Sequence, residues 1–200
     1  MGNYRNAIGI ITVILNIHIS VLLLSAGIAS DNLILAAMSR NTARVVKQGK
    51  PLLMLFMLLN IQMMVFLYGK WAGVAFKSYM PEQQHWFALF MLVVTAVRMY
   101  REWSSDKMQN MEIAFGLDGF LGIACATSIY VCVLGLSLKS LQIYSPAAYL
   151  LAMSALGTML LLGWYLGQFQ KFRLLKAIQV IALLMMVAGI SILISQTHKR

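Results

Sequence analysis

Asp31 is the residue most able to do chemistry in this chain, because it lies within the apolar run spanning residues 19–37. A carboxylate near the middle of a membrane span costs about 2.5–3.5 kcal/mol on insertion scales, and such residues face a bundle interior or a water-filled path. The chemistry it offers is cation binding, or exchange of a cation for a proton. Ser30 and Asn32 flank it with neutral oxygens. The other acidic residues, Glu82, Glu102, Asp106, Glu112 and Asp118, fall in or close to connections between apolar stretches.

The elements that must position Asp31 follow from composition. Hydrophobic residues make up 60% of the 200, charged residues 11%, and the mean hydropathy is +0.78. A soluble domain is typically about 45–50% apolar, so the chain reads as an all-α, polytopic membrane protein. About 20 apolar residues cross a hydrocarbon core of roughly 30 Å. Six such spans are expected, at residues 11–37, 51–73, 84–100, 113–138, 146–167 and 174–195. The third is the shortest. The first apolar stretch begins near Ala7 and is long for one crossing, which suggests tilt or an interfacial start.

The net charge of +10 is distributed as a topology signal, and no nucleic-acid partner is expected. Arg40, Arg44, Lys47 and Lys50 follow the first span, Arg98, Arg101 and Lys107 the third, and Lys171, Arg173 and Lys176 the fifth, placing ten basic residues on one face. The opposite face carries six: Arg5, Lys70, Lys77, Lys139, Lys199 and Arg200. The positive-inside rule then sets both termini outside the cytoplasm of an inner-membrane protein. No short apolar region with a small-residue cleavage site follows the start, so the first span is expected to remain.

The chain repeats itself. In the first half, Gly27-Ile-Ala-Ser-Asp-Asn-Leu33 precedes a span ending Gly69-Lys-Trp-Ala-Gly73; in the second, Ala126-Thr-Ser-Ile-Tyr130 precedes a span ending Gly163-Trp-Tyr-Leu-Gly167. The Gly-x-x-x-Gly pairs allow close helix approach. Each half holds three spans, so the second enters the membrane with opposite polarity, the inverted-repeat plan of secondary transporters. The expected organisation is a first repeat at 1–103 with an N-terminal extension at 1–10, a connection at 104–112, and a second repeat at 113–200.

At Ser30-Asp31, Trp86, Arg98-Met99 and Ala126-Thr-Ser-Ile129 the sequence resembles the MntP-type manganese efflux pumps, a six-span family within the lysine-exporter-like transporters. The resemblance runs from about Ile19 to the C-terminus. It implies export of Mn²⁺ from the cytoplasm, with intramembrane carboxylates on the first and fourth spans. This chain departs from that pattern: Ser128-Ile129 is followed by Tyr130 where the family carries an aspartate, and Gln62 stands at the second-span position of a family glutamate. The resemblance therefore implies a site of Asp31, Asn32, Gln62, Tyr130, Ser30 and Ser128. One carboxylate with neutral oxygens under-compensates a divalent ion, which prefers hard oxygen ligands. Export of another small cation, and a non-transporting member acting as a membrane interaction partner, stand beside Mn²⁺ export as alternatives.

Other polar residues read as structural. His18 lies about 20 Å along a straight helix from Asp31 and cannot share an ion with it. Asn60 points away from Gln62. The fifteen methionines suit packing on irregular faces. Cys125 and Cys132, two turns apart, are expected as small buried thiols, and Trp71, Trp86, Trp103 and Trp164 as an aromatic belt. Asp118 suits a helix N-terminus. No nucleotide loop, Ser/His/Asp set or zinc motif is present, so neither an enzyme nor a resident cofactor is expected; the partners are the lipid bilayer and a small cation.

Overall fold

The computed structural model describes residues 2–46, 51–104, 117–141, 143, 145–166 and 172–197. Of the residues singled out above, Lys47, Lys50, Asp106, Lys107, Glu112, Gly167, Lys171, Lys199 and Arg200 lie outside them, as does most of the expected connection at 104–112. Six helices account for nearly all of the described chain: α1 (Gly2–Val46), α2 (Pro51–Tyr79), α3 (Gln84–Ser104), α4 (Leu117–Ser140), α5 (Pro146–Leu166) and α6 (Phe172–Thr197). Among the described residues there is no strand.

Proline marks the boundaries. Pro51 and Pro146 open α2 and α5, where the missing N–H costs nothing because the first turn has no acceptor for it. Pro81 lies in the turn between α2 and α3. No proline or glycine interrupts residues 28–48, so α1 runs on beyond the expected span to 45 residues, about 68 Å at 1.5 Å per residue.

Four helices carry stretches long and apolar enough to cross a membrane: Thr12–Ile34, Leu55–Tyr79, Pro146–Leu166 and Ala177–Ser195. A shorter apolar stretch, Ala124–Ser140, lies in α4. Large apolar side chains such as Phe56, Trp71, Leu150 and Leu184 are exposed. That is a liability in water and the expected outer surface in lipid, and the chain is a multi-pass membrane protein. Serine and threonine hydroxyls bond back to carbonyls of their own helix, as Ser25 does to Val21 at 2.6 Å and Thr95 to Met91 at 2.8 Å, which satisfies them where no water is at hand.

Two seams organise the bundle, α2 against α4 and α1 against α5, with α6 on α1 and α3 on α4 completing it. Glycine sets the approach in both. A Cβ on Gly69 would run into the Cys132 carbonyl, and one on Gly135 into the Phe66 carbonyl. Across the other seam a Cβ on Gly163 would run into the Leu33 carbonyl, and Ala36 shares a buried cluster with Leu160. Between α1 and α6, a Cβ on Gly27 would come within 2.9 Å of Met186 Cβ and the Ala182 carbonyl.

Candidate functional site

Ala36, Leu55, Leu58, Ala124 and Leu160 form a buried apolar cluster, with Leu59 and Trp164 against it. Residues four apart on a helix share a face, so the next turn of the same faces is reached at Asn32 on α1, Gln62 on α2, and Thr127 and Ser128 on α4. One turn further lie Ile28, Phe66 and Val131, members of a second apolar cluster. A polar layer is thus held between two apolar ones.

Within it, Gln62 Nε2 donates to Thr127 Oγ1 across the α2–α4 seam at 3.5 Å. Thr127 and Ser128 both donate to the Ala124 carbonyl, at 3.1 and 2.6 Å. Asn32 and Gln62 are each 0% exposed. Both amide atoms of Asn32 and Oε1 of Gln62 have no hydrogen-bond partner in the protein. A buried polar group left so costs about 1–3 kcal/mol, and folded proteins tolerate few of them. What the layer offers chemically is two amide oxygens, with hydroxyl oxygens whose protons are already committed to a carbonyl and whose lone pairs remain.

The six residues expected from sequence do not all come together. Asn32, Gln62 and Ser128 fall in the polar layer. Asp31 is half-buried and lies one turn from Gly27, on the side of α1 that meets Ala182 and Met186 of α6; successive residues turn about 100° around a helix, so Asp31 and Asn32 occupy adjacent faces. Ser30 spends its proton on the Gly27 carbonyl at 2.7 Å. Tyr130, 2% exposed, has the Arg98 guanidinium carbon 5.4 Å from its ring centroid, and is thereby engaged with α3.

Sequence reasoning passed over Thr127. The signal for it was its place beside Ser128, but hydroxyl residues that bond their own helix are common and do not stand out. Trp164, assigned above to an interfacial belt, packs instead against the cluster below the polar layer, whereas Trp71 and Trp86 are exposed as expected. Cys125 is exposed and Cys132 half-buried, both free, so the expected pair of buried thiols is not found. His18 and Asn60 bond to carbonyls of their own helices, Ile14 and Phe56, each at 2.8 Å. Among the described residues no group of three or more His, Cys, Asp or Glu side chains could hold a metal ion; a cation at the polar layer would meet amide and hydroxyl oxygens.

No curated protein and no solved structure matches the chain. The family model described as "Putative manganese efflux pump" (Mntp) matches residues 45–193. That stretch takes in α2 to α6 and leaves Asp31 and Asn32 outside, so the resemblance expected from Ile19 onward is matched only from residue 45. It covers nearly three quarters of the chain, and on that ground the chain belongs to the Mntp family of manganese efflux pumps.

Proposed function

We propose that the protein exports a cation, Mn²⁺ in the first instance, by alternating access between two inverted three-helix repeats, each of three spans. The cargo is held in the layer formed by Asn32, Gln62, Thr127 and Ser128, with Asp31 beside it as the charge that compensates the ion or exchanges it for a proton. The observation that carries this reading is the pair of fully buried amides, Asn32 and Gln62, with polar atoms lacking protein partners, set between apolar layers. Such a group lowers stability unless a ligand uses it.

The seams support the repeat. The shift that carries Gly69 onto Gly163 also carries Phe66 onto Leu160, and the shift that carries Leu33 onto Cys132 carries Ala36 onto Gly135. Each of these four contacts has its counterpart in the other seam. The same shift brings Asp31 onto Tyr130. The excess of basic residues after the first, third and fifth expected spans supports termini outside the cytoplasm of the inner membrane.

Hard oxygen donors suit Mn²⁺, and a set with one carboxylate binds it loosely enough to release it. A second reading has its own observation. Arg98 lies over Tyr130 at 5.4 Å, which puts a positive charge beside the position where the family resemblance expects a carboxylate; this arrangement suits a cation of single charge.

Cells lacking their own manganese exporter, grown in excess Mn²⁺ and carrying this chain, test the reading. Lower cell manganese with the native chain, and loss of that effect in a correctly inserted Asp31→Asn or Asn32→Leu variant, is the expected outcome. Native chain that inserts and leaves cell manganese unchanged overturns Mn²⁺ as cargo.

A further inference from the structure

We propose that Phe66, Lys70 and Tyr149 form a gate that seals the polar layer from the face of the Met80–Gln84 connection, and that Leu160, Trp164 and Leu55 form its counterpart at the opposite end. The proposal rests on the inverted-repeat reading above. Gln62, Phe66 and Lys70 succeed one another at one-turn intervals along α2, so Phe66 covers the polar layer and Lys70 covers Phe66. From α5, the Tyr149 ring meets Phe66 edge-on, with centroids 6.2 Å apart and planes at 70°. The Lys70 ammonium sits 4.6 Å from the centroid of the same Tyr149 ring.

The pairing of Gly69 with Cys132 and of Gly163 with Leu33 fixes the repeat register without reference to Lys70, Trp164, Leu55 or Tyr149. Applied to them, the shift from Gly69 to Gly163 takes Phe66 onto Leu160, Lys70 onto Trp164 and Leu55 onto Tyr149. Leu55, Leu160 and Trp164 do come together, in the apolar cluster on the other side of the polar layer. A trio linked through the Tyr149 ring at one end is therefore carried onto three members of one apolar cluster at the other.

The two gates differ in kind. The first joins α2 to α5 through edge-to-face rings and a cation, whose charge also opposes a cation arriving from that face. The second is aliphatic. There α2 and α5 stand apart along an apolar cleft that Leu55 and Leu160 themselves line, with Phe56, Leu59, Gly157 and Leu161, and a Cβ on Gly157 would meet only Leu59 Cδ1, at 3.9 Å. The α2–α5 contact is closed at the aromatic end and splayed at the aliphatic one, so the aromatic gate is what holds this state shut.

The test uses the full chain with Cys125 and Cys132 changed to serine and Thr127→Cys as reporter, in right-side-out and inverted vesicles, labelled with a charged, membrane-impermeant thiol reagent. Tyr149→Leu and Lys70→Met should each raise the labelling rate from the side of the Met80–Gln84 connection by about tenfold, because removing a contact made only in the shut state shifts the population toward the open one. Tyr149→Phe keeps the ring and should label like the parent. Leu160→Ser should raise labelling from the opposite side. Unchanged labelling in folded Lys70→Met and Tyr149→Leu, or a rise from the wrong side, overturns the gate; if Tyr149→Leu does not fold, Lys70→Met decides alone. Labelling needs no cargo, so a native chain that exports no Mn²⁺, beside a Thr127→Cys series that labels as described, would sink the cargo assignment and leave the gate standing.

Discussion

The α2–α4 and α1–α5 seams use the same close contacts. In the first, Gly69 lies against the Cys132 carbonyl and Gly135 against that of Phe66; in the second, Gly163 lies against Leu33 and Ala36 shares a buried cluster with Leu160. Midway along, they part. The first seam holds Gln62 and Thr127, joined at 3.5 Å, while the corresponding positions of the second are Leu156 and Ile28, both in the apolar core at 0% and 1% exposure. Small residues at the contacts are what any such helix pair needs in lipid. The amide and hydroxyl are not needed for packing, since the other seam does without them. The difference therefore separates what holds the bundle together from what the bundle is for, and a polar centre that weakens a seam is expected where function demands it.

Breaking either set of contacts should have the largest effect. Gly69→Ala and Gly163→Ala each drive a methyl into a backbone carbonyl that cannot move independently of its helix, and overpacking of this kind costs about 3 kcal/mol or more. Thermal unfolding in detergent should show both variants falling alike, with Gly157→Ala close to the parent because its Cβ has room. A benign Gly163→Ala beside a severe Gly69→Ala would mean that the seams are not equivalent.

Moving the polar centre to the wrong seam should come next. Leu156→Gln sets an amide in the apolar core, at a cost of about 1–3 kcal/mol for an unpaired group, read from the same melts. Turning the first seam into a copy of the second should do the reverse. Gln62→Leu with Thr127→Ile removes an unpartnered buried oxygen and should raise stability by about 1 kcal/mol, while export is lost. The smallest effect is expected at Cys125→Ser, an exposed side chain, which should lie within about 0.5 kcal/mol of the parent. A larger loss there would show that Cys125 is packed against something in the folded protein.

Much of this arrangement was legible in the sequence. The apolar stretches marked the starts of α2, α3 and α5, and the paired glycines at 69 and 163 marked where helices could approach closely. Gln62 came into view only through the family resemblance, at the position of a family glutamate, and Asn32 as the neighbour of Asp31. What stayed hidden is directional. α1 is apolar on nearly every side because α5 and α6 both cover it, so no periodic pattern marks an inner face, and neighbouring Asp31 and Asn32 could not be assigned to different sides. Trp164 looked like an interfacial residue because composition near a span end says nothing about which neighbour arrives. The meeting of Phe66 with Tyr149, and of Arg98 with Tyr130, depends on helices far apart in the chain, which local spacing does not encode.

The central claim is that the α2–α4 seam carries the cargo at its polar middle. Mn²⁺ flux into or out of sealed proteoliposomes, comparing the native chain with Gln62→Leu/Thr127→Ile at matched amounts of folded protein, tests it most directly. The account predicts flux with the native chain and background flux with a double variant that is folded and more stable. Undiminished flux through that folded double variant would contradict it, because a seam with the same apolar middle as α1–α5 would then be carrying the ion.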